Sequence, residues 1–406
     1  MAVATTEIGG QRATGKWRAL AVLATAMILA MTTWFSTSAV IPQLRSEWSL
    51  TDTQSAWLTI AVQLGFVVGA LLSSLFNFSD VVSPRVVIMI GGLGAAAVNA
   101  LLATVDGPAA ALPLRFGTGF FLAGVYPPTL KLMATWFRDN RGLALGILVG
   151  ALTVGSAGPH FVNGLGGLDW RTVVYVTSGL TMGGALLGYL VHEGPFPFPR
   201  ATLDIRQAGR AFANRGVRLA CLGYFGHMWE LYAMWAWFLV FFSDALAQSR
   251  TSAAFATFGV IAIGGLGCWG GGALGDRWGR TVTTALAMAI SGLCALTIGL
   301  LIDGPTWLVL VVGLVWGISV VADSAQFSTM VTELADQAYV GTALALQLAI
   351  GFTLTVATIW LIPELVNAVG WRWAFAFLAP GPALGVIAML RLRNSPEAAT
   401  IAGGRR

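Results

Sequence analysis

Long apolar runs alternate with short polar connections along this chain. The runs fall near 17–41, 54–78, 85–105, 109–134, 142–165, 171–192, 217–243, 253–275, 281–302, 306–331, 340–363 and 371–392. Each has about the 20 residues a helix needs to cross a bilayer. The pattern predicts twelve crossing helices, spans one to twelve. A membrane barrel is excluded, because its strands would alternate apolar and polar positions and these runs are continuous. The longest polar connection, GPFPFPRATLDIRQAGRAFANRG from Gly194 to Gly216, splits the spans into two sets of six. Its Pro-rich start cannot continue a helix, whereas Leu203 to Asn214 can form an amphipathic helix on the membrane surface. The expected organisation is a polar, disordered tail over 1–16, a six-helix bundle over 17–193, a linker over 194–216, a second bundle over 217–392 and a tail over 393–406.

Composition agrees with this reading. Hydrophobic residues make up 56% of the 406 and charged residues only 10%, against about 25% charged in soluble domains. The first run is too long for the apolar part of a signal peptide and reads as an uncleaved span. The net charge is +5, but the basic residues are spread through short loops rather than gathered in one patch, which argues against nucleic acid as a partner. With the N-terminus inside, eighteen of the 23 Lys and Arg lie on or near the cytoplasmic side. That bias sets both termini in the cytoplasm, and the chain is expected in the inner (plasma) membrane, the lipid bilayer being its medium. One loop departs from the pattern: Glu333 and Asp336 have no basic company nearby in sequence. Cys221, Cys268 and Cys294 all fall within predicted spans and form neither a disulfide framework nor a metal-binding pattern.

The two halves repeat. GLDWRTVVYVTSGLTMGGALLGYLVHEGP, Gly167 to Pro195, aligns with AVGWRWAFAFLAPGPALGVIAMLRLRNSP, Ala368 to Pro396, so that Trp170–Arg171 fall on Trp371–Arg372. A second match puts Asp80 on Asp276 and Gly69 on Gly265. A duplicated six-helix unit places its substrate between the halves.

The loop after span eight, GGALGDRWGR, contains Gly272, Leu274, Asp276, Arg277, Gly279 and Arg280. In these residues the chain resembles the major facilitator superfamily, whose loop signature is G-x-L-x-D-R-x-G-R. The first copy, LFNFSDVVSPR, keeps Asp80 but has Val81 in place of the Arg, with Arg85 further on. Arg115 and Gly119 in LRFGTGFFLAG resemble the family's fourth-helix Arg–Gly motif, linked there to proton transfer. Span five, with Gly146, Gly150, Gly155, Gly158 and Pro159, is similar to an antiporter motif, though its spacing differs, and small residues also let helices approach closely. The resemblance implies an all-α polytopic membrane protein of 12 transmembrane helices, arranged as two pseudo-symmetric six-helix bundles. It implies a cytoplasmic gate built from Asp80, Arg85, Gly272, Asp276, Arg277, Gly279 and Arg280. It also implies that spans one, four, seven and ten line a central cavity.

Ionisable residues inside the spans select those same helices. They are Arg115 and Lys131 on span four, His227 and Glu230 on span seven, and Asp323 on span ten, with His160 near the outer end of span five. Intramembrane charges of this kind face a cavity or a partner. His227 and Glu230 are three residues apart and share a helix face. Such a pair can exchange a proton; equally, Glu230 can tie two helices together. Asp323 has the same two readings. Lys131 lines the path or snorkels to the interface, and His160 reads as an outer-gate or capping residue. Trp34, Tyr126, Gln326 and Trp237 are candidates for lining the path, as are Gln63 and Gln347.

These observations point to a secondary transporter acting as a monomer on a small-molecule solute and protons. The chain has no phosphate-binding loop for direct ATP drive, no hydrolase or zinc-protease motif, and no cofactor or metal pattern. It is therefore not expected to be an enzyme. Arg115, Lys131 and His227 favour uptake of a small anionic solute, as in the cyanate, nitrate and monocarboxylate permeases that parts of the chain resemble. Nitrate itself is disfavoured, since spans two and eight carry no Arg. The alternative is a proton-driven antiporter exporting hydrophobic or drug-like compounds, suggested by Glu230 and the aromatic residues around it.

Overall fold

The computed structural model describes residues 4–76, 78–137, 141–166, 168–196, 208–336 and 339–405. Among these the chain is helical, with no strand. Twelve long helices occur in order: α1 (Ala4–Ala30), α2 (Asp52–Leu75), α3 (Pro84–Thr104), α4 (Pro108–Ala134), α5 (Arg141–Gly164), α6 (Trp170–Tyr189), α7 (Arg215–Asp244), α8 (Arg250–Trp278), α9 (Arg280–Leu301), α10 (Thr306–Leu334), α11 (Val340–Val369) and α12 (Trp371–Arg393). Ten of them, α1 to α5 and α8 to α12, are long and apolar enough to cross a membrane. The other two, α6 and α7, have 20 and 30 residues, and α7 carries His227 and Glu230 within it. The backbone is helical from Ala4 onward, where the sequence suggests a disordered tail. Of the expected linker, 197–207 lies outside the described residues; its C-terminal part includes one helical turn, Ala208–Ala211.

Breaks within the helices follow local chemistry. After α1 the chain passes through one 3-10 turn, Met31–Thr33, and restarts as Ser36–Ala39 and Ile41–Trp48. Here Thr32 and Ser36 hydroxyls donate to the carbonyls of Leu29 and Thr33 at 2.8 and 3.1 Å, a side-chain competition that weakens the helical ladder. α4 is interrupted just before Tyr126–Pro127–Pro128, since proline lacks the N–H that would continue the ladder. α10 is interrupted at Asp323. Gly279, at φ 92°, makes the left-handed turn between α8 and α9, a conformation that favours glycine.

The packing repeats with an offset of six helices. In the first half α2 packs on α4, α3 on α4 and α6, and α1 on α5 and α6. In the second half α8 packs on α10, α9 on α10 and α12, and α7 on α11 and α12. The halves meet through two further pairs, α5 with α8 and α2 with α11, which exchange under the same offset. Equivalent side chains also play equivalent parts: Arg171 at the start of α6 pairs with Asp106, and Arg372 at the start of α12 pairs with Asp303. The closest crossings need glycine. A Cβ on Gly119 of α4 would stand 1.9 Å from the Val62 carbonyl oxygen of α2, and one on Gly317 of α10 would stand 1.8 Å from that of Val260 on α8.

One face of the bundle, the terminal face, carries both ends of the chain. Trp17 packs edge-on there against Phe137 beyond α4, the start of α5 adjoins Asp276 at the end of α8, and the C-terminal segment Pro396–Gly404 reaches α10.

Candidate functional site

Two buried acids on the second half have different partners. Asp323, at the break of α10, brings Oδ1 to 2.9 Å from His227 Nδ1 on α7, and both side chains are almost fully buried. That oxygen makes no aligned hydrogen bond, so the contact is electrostatic. On the other side of the ring Ser324 Oγ lies 2.8 Å from His227 Nε2. With the imidazole proton on Nδ1, facing the acid, Nε2 accepts from the serine hydroxyl. Glu230, one turn along α7, instead accepts from Trp316 Nε1 at 2.7 Å and from Ser291 Oγ at 2.9 Å. The expected His227–Glu230 pair therefore does not form. Both side chains turn toward α10, but the one-turn offset delivers them to different groups, and Glu230 joins α7 to α9 and α10.

Arg115 is completely buried and each of its three nitrogens donates. Nε donates to the Leu58 carbonyl at 3.2 Å, Nη1 to Thr33 O, Ser36 Oγ and Asn99 Oδ1 at 3.0–3.1 Å, and Nη2 to Trp34 O at 2.6 Å. The carbonyls of Thr33 and Trp34 are released by the break after α1, and the guanidinium on α4 satisfies them. Asn99 on α3 completes the network by donating to Ser178 at 2.9 Å. The fourth-helix arginine thus stitches the broken first helix into its half. His160 on α5 is also fully buried, and neither ring nitrogen has a hydrogen-bond partner. It caps nothing; its neighbour Asn163 is the one that donates to the Ala39 carbonyl, at 2.7 Å.

Aromatic rings fill the interface between the halves. Trp34 packs on Phe66 of α2 at 4.8 Å, on Tyr232 of α7 at 6.0 Å and on Phe352 of α11 at 5.8 Å between ring centroids. Phe35 adds contacts to Tyr232 and Trp235. Tyr126, at the restart of α4, lies at the edge of this cluster, 6.5 Å from Phe66. Trp237 is apart from it: its Nε1 donates to the Ile359 carbonyl at 2.9 Å, and the Arg45 guanidinium lies 5.6 Å above its ring. Arg45 also pairs with Asp52, which accepts from Asn367 of the other half. Trp237 therefore belongs to a closure on the opposite face. Lys131 lies partly buried in the last turn of α4, toward the terminal face.

The terminal face holds the loop residues. Arg280 is 8% exposed and makes a forked pair with Glu333 on α10 at 2.9–3.2 Å. It also donates to Gln326 at 2.9 Å and approaches Asp276 at 3.4 Å. Glu333, which has no basic neighbour in sequence, therefore has one in space. Gln326 also donates to the Gly271 carbonyl, so it belongs to this network and not to the central path. The Asp276 carboxylate faces Gly142 at the start of α5, 3.6 Å from where a Cβ would sit there, and Gly272 is close to the Gly142 carbonyl. The Asp276 carbonyl accepts from Arg405 of the C-terminal segment. Arg277 is exposed. On the first half Arg85 contacts His192 and the Tyr189 ring instead. Asp80 falls on a single turn, Phe78–Val81, and its side chain lies outside the described residues.

The α5–α8 seam is closed at both ends. Near the terminal face Gly146 and Gly150 pack on the backbone of Cys268 and Gly265; near the opposite face Phe161 packs on Phe255 and Phe258.

Comparison with known proteins gives this arrangement a family. Residues 23–352 match the sequence profile of the Major Facilitator Superfamily. Two solved structures of a bacterial homolog of the human lysosomal transporter Spinster, both inward-facing, share the fold. The unoccupied one superposes with a TM-score of 0.69 at 16% identity, covering 94% of this chain and 99% of that one. The occupied one gives 0.64 at 15%, covering 95% and 97%. The multidrug efflux pump LfrA of Mycolicibacterium smegmatis is 31% identical over 191 residues, which span 46% of this chain and 38% of that protein. The family and fold are those of membrane transporters of small molecules, not of enzymes. This polytopic chain belongs to the Major Facilitator Superfamily.

Proposed function

We propose that this transporter exports planar, hydrophobic solutes across the inner (plasma) membrane in exchange for protons, by alternating access between its two halves. In this reading the chain crosses the bilayer twelve times as a monomer, as bundles over 17–193 and 217–392. The terminal face is cytoplasmic, and its gate is the Asp276–Arg280–Glu333 network. The observation that carries the solute class is the ring cluster of Trp34, Phe66, Tyr232 and Phe352 across the interface of the halves. Aromatic faces select flat apolar bodies and tolerate a positive charge on them. A small anion would need a cation with donors to spare, and the five bonds of Arg115 leave it poorly placed for that. The partial similarity to a multidrug efflux pump is consistent with export. The proton is assigned to His227–Asp323, a buried acid–base pair whose facing atoms are 2.9 Å apart. Glu230 has the structural part.

The test is flux in proteoliposomes. Vesicles with an acidic lumen should accumulate the planar dye ethidium and release it when an ionophore collapses the gradient. Absence of ethidium flux, or lactate accumulation in vesicles with an alkaline lumen, overturns the reading.

A further inference from the structure

The ring cluster is apolar in its faces but not at its edges. Trp34 Nε1, Trp235 Nε1 and both amide atoms of Gln63 are buried without a hydrogen-bond partner. All three residues are 0–1% exposed. Buried polar groups are ordinarily paired, and inside a bilayer no water solvates the unpaired ones. Trp229 and Trp316 show what these helices do with an indole that has only a structural part: each N–H is given to an acceptor, the Phe377 carbonyl and Glu230. Two of the three residues meet through shared rings. Trp34 and Trp235 are joined through Phe35 and Tyr232. Gln63 lies one turn from Phe66 and one turn from Thr59, which bonds Ser38 at 2.7 Å. That register directs Gln63 to the side of α2 between the first helix and α11.

We propose that Trp34, Gln63 and Trp235 form a hydrogen-bonding rim that selects oxygenated planar solutes, those carrying carbonyl or hydroxyl oxygens on the ring edge. This rests on the export reading above and narrows its substrate class. Four N–H donors, on three nitrogens, and one carbonyl acceptor match a solute with several acceptor oxygens and one or more hydroxyl donors. The rings hold its face, and the rim reads its edge. Two of the residues come from the first half and one from the second, so only a solute seated between the halves meets all three. A site built to bond polar groups rejects the analogue that lacks them.

Binding to the purified full-length protein tests this, with two probes measured by tryptophan quenching. 1,4-Dihydroxyanthraquinone carries two carbonyls and two hydroxyls; ethidium is planar without oxygen. Gln63→Leu and Trp235→Phe keep bulk or ring and delete the polar atoms. Each should weaken the anthraquinone about three- to tenfold, the effect of one lost hydrogen bond, and change ethidium less than twofold. Retained ethidium binding and export also certify each variant as folded. Equal weakening of both probes, or of neither, with wild-type ethidium export intact, overturns the rim and leaves the export reading standing. Absence of ethidium export in the wild type overturns both.

Discussion

His227 Nδ1 and Asp323 Oδ1 face each other at 2.9 Å across α7 and the break of α10, sealed from solvent. Removing either partner alone leaves the other buried without its counterpart, so the two side chains act as a unit. Asp323→Asn should abolish ethidium accumulation driven by a pH gradient while downhill exchange of the dye persists. His227→Gln should do the same to a lesser degree, since an amide can still bond Asp323. Undiminished gradient-driven accumulation in Asp323→Asn would reduce the pair to a packing contact.

Glu230 should behave in the opposite way. Its two oxygens hold Trp316 and Ser291, and a glutamine keeps one acceptor for them. Glu230→Gln should therefore retain coupling with a modest loss of thermal stability. Glu230→Leu orphans two buried donors, at about 1–3 kcal/mol each, and should lower the melting temperature markedly in a detergent-solubilised fluorescence assay. A Glu230→Gln protein of wild-type stability that cannot couple would return the proton to Glu230.

Arg115→Lys preserves the charge but not the fork. A lysine has three donors on one atom, whereas Arg115 makes five bonds from three nitrogens to groups on α2, α3 and the break after α1. The variant should elute as a broad, partly aggregated species on size-exclusion chromatography. A monodisperse Arg115→Lys protein with altered solute preference would instead favour an anion site there.

The helical architecture was legible because a bilayer imposes one strong rule, apolar runs of helical length. All twelve runs fall on helices, and the Trp170–Arg171 repeat lands on two equivalent ion-paired helix starts. The choice of partners was not legible. Sequence proximity suggested His227 with Glu230, yet tertiary contacts 61 to 97 positions apart decided both. Glu333 looked isolated because Arg280 is 53 residues away. Arg115 was read by its charge, whereas its role follows from carbonyls released by a helix break. Asn99, a lone amide in the third apolar run, carried a signal for that network that the charge-based reading passed over.

On the opposite face Glu47 predicts a pH dependence. Its carboxyl is held below the ordinary carboxylate range by the Trp170 N–H and then by Arg171. A lowered folded-state value stabilises the protein above the unfolded value, about 4.3, and that contribution is lost as pH falls through the folded value. The difference in melting temperature between wild type and Glu47→Gln should be constant from about pH 6 to 8 and vanish in stronger acid. A difference that grows on acidification would reverse the assignment.

Asp276 meets the start of α5 across the seam between the halves, beside Gly142. A carboxylate at a helix N-terminus is attracted by the partial positive charge there, by about 0.3–1 kcal/mol. Arg280 at 3.4 Å steadies the acid. Asp276→Asn should therefore open the seam more often. Cys268 reports on that opening, because its backbone packs under Gly146 and its thiol, buried, reaches toward the Val321 carbonyl. In a background with Cys221 and Cys294 replaced by alanine, Asp276→Asn should raise the rate of Cys268 labelling by a membrane-permeant maleimide about two- to fivefold. Arg277→Gln, altering an exposed neighbour of the same loop, should leave the rate unchanged. Equal rates in all three proteins would mean that the acid does not hold the halves together.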